Sequence, residues 1–216
     1  VNADAEAFAH LYCPVGGSKV MNEVAKRLGY STPEHEPTVA VLHCNGTCEN
    51  APDKVEYIGL QSCRLANRAF VGKTGCPNGC LRLGDCVRNC PFGAIEMDDQ
   101  TGLPRVNPDK CTSCGACVRI CPRGLYEIRP RGKNGVMVYV ACSNKQKGAT
   151  ARKNCKAACI ACMKCTKICP EVTVEENLSR IPPSVSAKLY GAELAAGCPT
   201  GAIVYTGAKG DKNEQN

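Results

Sequence analysis

The stretch Cys111-Thr112-Ser113-Cys114-Gly115-Ala116-Cys117-Val118-Arg119-Ile120-Cys121-Pro122 has the spacing C-x2-C-x2-C-x3-C-P. Three thiols two residues apart wrap a tight loop around one centre, and the fourth leaves on the next turn toward another. This is the thiolate run that holds a cubane iron–sulfur cluster, and it predicts a partner run in the same chain. The partner lies upstream: Cys80, Cys86, Cys90 and Pro91 keep the frame, with Leu83 in place of the second cysteine. A third copy is Cys159, Cys162, Cys165, Cys169 and Pro170, and Cys198-Pro199 is a fragment of a fourth. Such repetition outranks other signals. The expected fold is α+β and loop-rich, built from tandem bacterial-type 2[4Fe-4S] ferredoxin-like units.

Composition narrows the alternatives. Aromatics make up 5% of the chain and Trp is absent, so a large aromatic core is not expected. Nineteen of 216 residues are cysteine, a level at which a secreted disulfide scaffold has to be weighed. The odd count, the lack of a signal peptide and the two-residue spacing speak against it. Structural zinc is the other alternative, but zinc sites show two separated C-x2-C pairs rather than three cysteines in a row followed by C-P. Cluster thiolates imply a reducing compartment. The formal charge of +7 counts cysteines as neutral. An oxidised cubane with four thiolates adds about −2, so four of them bring the total to about −1. The Lys and Arg residues therefore read as solvated surface and charge compensation, and nucleic acid is not an expected partner. No apolar run approaches the 18 or more residues of a membrane span.

Along the chain, a helix is expected from a Ser18 cap to Leu28, with Val20, Val24 and Leu28 on one face and Gly29 as the stop. Cys13 heads Cys13-Pro14-Val15-Gly16-Gly17, residues 33–37 form a linker, and His10, His35 and His43 read as surface or packing residues. Strands are expected at 39–42, delivering Cys44, and at 136–141, delivering Cys142. Residues 98–108 open on a hairpin turn signal, Asp-Asp-Gln-Thr-Gly-Leu-Pro. The basic stretch 144–154 reads as a solvated helix face, and a helix at 187–196 leads to Cys198. Cys155-x3-Cys159-x2-Cys162 also occurs in radical SAM enzymes, but here it overlaps a complete ferredoxin run and no barrel fits beyond it.

Cys44-Asn-Gly-Thr-Cys48, Gly75-Cys76-Pro-Asn-Gly-Cys80-Leu81, Gly84-Asp-Cys86, Ala141-Cys142-Ser-Asn-Lys-Gln-Lys-Gly148 and Ala158-Cys159-Ile-Ala-Cys162 form a distinctive set. Over nearly the whole chain this resembles the B subunit of the Rnf complex in its long, many-cluster form. The resemblance implies an electron-transfer subunit of a membrane-bound ion-translocating oxidoreductase. Its partners would be reduced ferredoxin and the other subunits, on the cytoplasmic side of the bacterial inner membrane. It implies a membrane anchor and a further cluster domain upstream of Val1, of which Cys13 is the last ligand and residues 1–38 the helical remnant and linker. The other expected divisions are 39–79, a cysteine-rich cluster segment; 80–135 and 136–206, two ferredoxin-like units; and 207–216, a disordered tail. The family's second unit carries another complete run; here Lys188, Gly191 and Leu194 stand at its cysteine positions, so one cluster is expected to be lost.

About four [4Fe-4S] clusters are then expected. Crossed ligation assigns Cys90, Cys111, Cys114 and Cys117 to one, and Cys159, Cys162, Cys165 and Cys198 to another, with Cys169 free. A third takes Cys80, Cys86 and Cys121 plus Cys76, Cys142 or Cys155. A fourth takes Cys44, Cys48 and Cys63, most simply with Cys76. Ile95, Leu125 and Ile203, after the C-P turns, are expected to shield clusters from water. There is no G-x-G-x-x-G loop and no catalytic residue is assigned. A soluble polyferredoxin, or a subunit of another oxidoreductase, is the alternative function, and a structural zinc protein the alternative of a different class.

Overall fold

The computed structural model describes Cys13 and residues 15–30, 36–132 and 135–207. His10, His35 and the tail from residue 208 lie outside the described residues. Strand β1 (Thr38–Leu42) is rich in apolar and β-branched residues, and Val39, Ala40 and Val41 are buried. It pairs antiparallel with β4 (Tyr126–Pro130), setting Ala40 opposite Ile128. Between them lies the hairpin of β2 (Ile95–Asp98) and β3 (Leu103–Val106). The Asp98 carboxylate accepts the Gln100 and Thr101 N–H groups and Gly102 turns left-handed at φ 69°, so the turn signal at 98–108 works as side-chain chemistry predicts. Short helices α2 (Cys63–Ala69), α3 (Asp85–Arg88) and α4 (Ala116–Ile120) fill the connections. Although β1 lies in the stretch read separately as 39–79, it is a sheet partner of the stretch read as 80–135.

The second half has the same pairing pattern. Strand β5 (Val138–Val140) pairs with β8 (Ile203–Tyr205) around the hairpin of β6 (Thr173–Glu175) and β7 (Leu178–Arg180). Helix α5 (Gly148–Asn154) follows β5, and α6 (Lys164–Ile168) and α7 (Ala187–Gly197) complete this half. The halves are joined through β1 and its flanks. Asn45 N–H donates to the Ala141 carbonyl (2.8 Å), and the His43 ring bridges the Val140 carbonyl (Nδ1, 2.7 Å) and Glu127 (Nε2, 2.8 Å). Arg129 is buried and donates to the carbonyls of Val138 and Ile181.

Helix α1 (Gly17–Leu28) departs from expectation on one face. It begins at Gly17, with Gly16 at the cap and no side-chain cap bond, and Gly29 ends it at φ 74°. Val20, Val24 and Leu28 remain exposed; Met21 and Ala25 are buried instead, packed with Tyr30. The apolar spacing is that of a helix, but within the described residues the helix meets its contacts one position further round.

The core of the second half is built where the resemblance implies a further cysteine run, around Lys188, Gly191 and Leu194. Leu194 and Cys169 are fully buried among Val172, Ile181 and Val185. Gly191 leaves room for Tyr205, since an added Cβ would overlap its ring. Overpacking of this kind costs typically about 1–3 kcal/mol. Gly191→Ala is therefore expected to lower the unfolding midpoint in anaerobic thermal melts.

Candidate metal centre

Three loops share one backbone device. In 111–117, Ser113 and Gly115 take left-handed conformations (φ 59° and 73°); in 159–165, Ala161 and Met163 do (52° and 60°); in 80–86, Arg82 and Gly84 do (59° and 73°). Alternating right- and left-handed residues curl the chain so that N–H groups face inward, a concavity suited to anions. Such conformations cost free energy for residues other than glycine and are held in place at functional loops. The 80–86 loop keeps the device although Leu83 occupies its middle thiol position.

A second device closes three of the C-P turns. In Cys90-Pro-Phe-Gly93, Cys121-Pro-Arg-Gly124 and Cys198-Pro-Thr-Gly201 the glycine is left-handed (φ 58°, 58° and 67°). In the first two, the residue after it turns back onto the sulfur: Ala94 N–H reaches Cys90 Sγ at 3.3 Å and Leu125 N–H reaches Cys121 Sγ at 3.4 Å. In Cys169-Pro-Glu-Val172 a valine replaces the glycine and is not left-handed. This difference was present in the sequence and separates the buried Cys169 from the other three turns.

The cysteines surround spaces rather than points. One cavity is lined by Cys63, Cys80, Cys86 and Cys121, with Leu81, Leu125 and Tyr126. Another is lined by Cys44, Cys76, Cys80, Cys142 and Cys155, and a third by Cys159, Cys162, Cys165 and Cys198, with Ile203. All three are small, rimmed by four or five thiols and walled mostly by apolar atoms. A fourth group gathers where Cys90, Cys111 and Cys117 pack with Ile95 and where the thiols of Cys111 and Cys114 face Cys117. Among the described residues, no three His, Cys, Asp or Glu side chains sit close enough to hold a single ion.

Cys63, expected with Cys44, Cys48 and Cys76, is the residue whose partners spacing missed. It lies 17 residues before Cys80, yet its sulfur accepts from the backbone of Leu83 and Asp85, over the position the absent second cysteine would fill. The buried Asp85 carboxylate fixes it there, accepting from Arg64 N–H (3.2 Å) and Ser62 Oγ (3.3 Å) in the first turn of α2. The expected grouping of Cys44, Cys48, Cys63 and Cys76 is therefore not what the structure brings together. Cys44 and Cys76 meet Cys142 and Cys155, while Cys48 is exposed beside Gly102 and lines none of these three cavities. Cys13 is exposed and accepts the Gly16 N–H at 3.4 Å.

Electrostatics and hydrogen bonds define what would suit these spaces. Burial pushes the Cys142 thiol up to about 12; burial, then the neighbouring Cys111, pushes Cys117 up to about 11. Burial also raises Cys44, Cys63, Cys80, Cys86, Cys155 and Cys159. Burial acts the same way on the half-buried Cys198, but the Thr200 N–H and hydroxyl and the N–H groups of Ile203 and Ala202 bring it below the ordinary thiol value. Sulfurs also accept from Tyr126 Oη (Cys86, 3.4 Å), Asn144 Nδ2 (Cys76, 3.4 Å), Cys80 N–H (Cys44, 3.4 Å) and Cys159 N–H (Cys142, 3.3 Å). Buried thiols that resist ionisation, ringed by donors aimed at sulfur, fit a group that supplies positive charge at the centre and accepts thiolate ligands.

These loops and thiol-lined spaces define an iron–sulfur protein of the ferredoxin type. Residues 74–125 match the 4Fe-4S dicluster domain. Over 193 residues, 88% of its length, the chain is 42% identical to the B subunit of the proton-translocating ferredoxin:NAD(+) oxidoreductase complex of Clostridium ljungdahlii and covers 66% of that protein. It is 42% identical to the Na(+)-translocating counterpart of Acetobacterium woodii, covering 56%. It is 36% identical to the B subunit of the ion-translocating oxidoreductase complex of Methanosarcina acetivorans, covering 71%. The chain belongs to the family formed by the B subunits of ion-translocating oxidoreductase complexes. It spans about two thirds or less of the first two relatives. Among the described residues no helix is long and apolar enough to cross a membrane.

Two outcomes follow from the site. Tyr126→Phe removes one donor to Cys86, so iron content should stay unchanged while one midpoint potential moves in the negative direction in a redox titration. Because burial favours the protonated thiols, each ligand gives up a proton when metal binds. Iron loss to a chelator should accordingly speed up as pH falls from 8 to 6, followed by bleaching of the visible absorbance.

Proposed function

We propose that this chain passes single electrons along four [4Fe-4S] clusters inside a membrane-bound, ion-translocating ferredoxin:NAD oxidoreductase, taking them from reduced ferredoxin on the cytoplasmic side. A bound cluster supplies one-electron chemistry, with a potential set by sulfur hydrogen bonds and burial. The observation that carries the reading is the gathering of four or five thiols around each of three cavities, with N–H and O–H donors aimed at the sulfurs. The ligand sets best supported are Cys90, Cys111, Cys114 and Cys117; Cys63, Cys80, Cys86 and Cys121; Cys44, Cys76, Cys142 and Cys155; and Cys159, Cys162, Cys165 and Cys198. Cys80 borders two cavities, and its loop conformation, shared with Cys111 and Cys159, supports placing it with Cys86.

The repeated strand pairing supports two tandem ferredoxin-like units, spanning 38–130 and 138–205, the second keeping one cluster. Cys13 would belong to a further cluster domain. NAD reduction and ion movement are assigned to other subunits, and the chain's own residues hold, space and shield the clusters. Tyr126, Leu125 and Ile203 line cavity walls and exclude water. The names of the relatives support the ferredoxin and NAD partners.

Iron analysis of anaerobically purified variants tests the reading. Cys114→Ser and Cys63→Ser should each lose about four irons, one cubane, while Cys169→Ser should lose none. Reduced ferredoxin should bleach the broad absorbance near 400 nm (about, for thiolate–iron charge transfer) on mixing. A colourless, iron-free protein that binds zinc instead would overturn the proposal.

A further inference from the structure

Arg123 follows the Cys121-Pro122 turn and reaches back across the first half of the molecule. Its Nη1 donates to the carbonyls of Cys76 (3.1 Å) and Gly79 (2.5 Å), its Nη2 to the Val71 carbonyl (2.6 Å), and its Nε to Asn67 Oδ1 (2.9 Å). Every one of these acceptors is a neutral oxygen. Arg82, which flanks Cys80, differs in this respect: it is paired with Asp53 at 2.8 Å. Arg123 has no carboxylate within ion-pair distance among the described residues.

A half-buried guanidinium without a counter-anion is costly unless negative charge lies nearby. Burial pushes the Arg123 guanidinium below its ordinary value, and the groups that act against this are the sulfurs of Cys76, Cys80, Cys121 and Cys44. They belong to two cavities: Cys80 and Cys121 to one that Arg123 itself lines, Cys44 and Cys76 to the neighbouring one.

We propose that Arg123 is a positioning residue with two tasks: its fork clamps the segment from Val71 to Gly79 against the Cys121 turn, and its charge is shared by the two cluster sites on either side. The inference rests on the reading that clusters occupy both cavities. A cluster becomes more negative on reduction, so a fixed cation beside it favours the reduced state. One charge between two sites raises both potentials together and keeps them close. Lysine would retain the charge but not the planar fork that meets several carbonyls at once.

The test is a redox titration of the anaerobically purified full chain, monitored by electron paramagnetic resonance, with iron counted on the same samples. Iron content tests the occupancy reading; potentials test this inference. Arg123→Gln is expected to keep its iron while two midpoint potentials shift in the negative direction and the others stay. Arg105→Gln, on the exposed side of β3, removes an equal charge elsewhere and should shift none. Unchanged potentials in an iron-replete Arg123→Gln protein would overturn the proposal. Should Arg123→Gln lose iron, Arg123→Lys decides. Full iron with potentials near those of the parent supports the shared charge, and full iron with potentials shifted as though the charge were gone refutes it; iron loss in Arg123→Lys as well supports the clamp made by the fork.

Discussion

The convergence of buried thiols from distant parts of the chain is the constraint on which this structure depends. Each cysteine-lined space is closed by a residue distant in the sequence. Cys121 closes the space begun by Cys63, Cys80 and Cys86. Cys198 closes the one begun by the 159–165 loop, and Cys155 meets Cys44 across more than a hundred residues. Apart from α1 and α7, the described helices have four to seven residues and the strands three to five, too short to hold a fold of this length through their own hydrogen bonds. A metal centre that ties such segments together contributes to folding directly.

Within that frame the backbone carries much of the electrostatics. Left-handed residues at Ser113, Ala161, Met163 and Arg82 turn N–H groups toward the thiols, and the glycines of the C-P-x-G turns at Cys90 and Cys121 bring one more. Side chains then individualise each space. Tyr126 donates to Cys86, Asn144 to Cys76, and Ser179 Oγ lies 3.2 Å from the Cys165 sulfur. Burial excludes water, and the donors replace part of its solvation of sulfur. A protein built this way can separate the potentials of chemically identical groups without changing their ligands.

The second half relies on apolar packing where the first carries a second thiol loop. Leu194, Tyr205 and the buried Cys169 pack together there, with Gly191 against the Tyr205 ring. Valine at position 172 replaces the turn glycine, so the chain no longer bends a donor back as it does after Cys90 and Cys121. Apolar packing takes over the cohesion that a bound centre would have provided, and the strand pairing of β5 with β8 is retained.

The residue spacings by themselves determined the kind of chemistry, the number of ferredoxin-type loops and the turns at 98–104 and 198–201. Two-residue spacing and left-handed glycines act over a single turn of chain, so a linear reading reaches them. The sequence also held a sign about Cys169, in Val172, which depends on knowing that the glycine of the turn is left-handed. Crossed ligation also placed Cys121 beside Cys80 and Cys86, and Cys198 beside the 159–165 loop. What only the tertiary structure decided is where Cys48, Cys63, Cys142 and Cys155 go. Cys63 lies against the 80–86 loop because Asp85 anchors α2 above Leu83, Cys142 and Cys155 join Cys44 because β5 runs beside the end of β1 and α5 packs on Ala51, and Cys48 is left outside. The same holds for the buried face of α1. These relations depend on how elements pack across large sequence separations, and no local spacing encodes that.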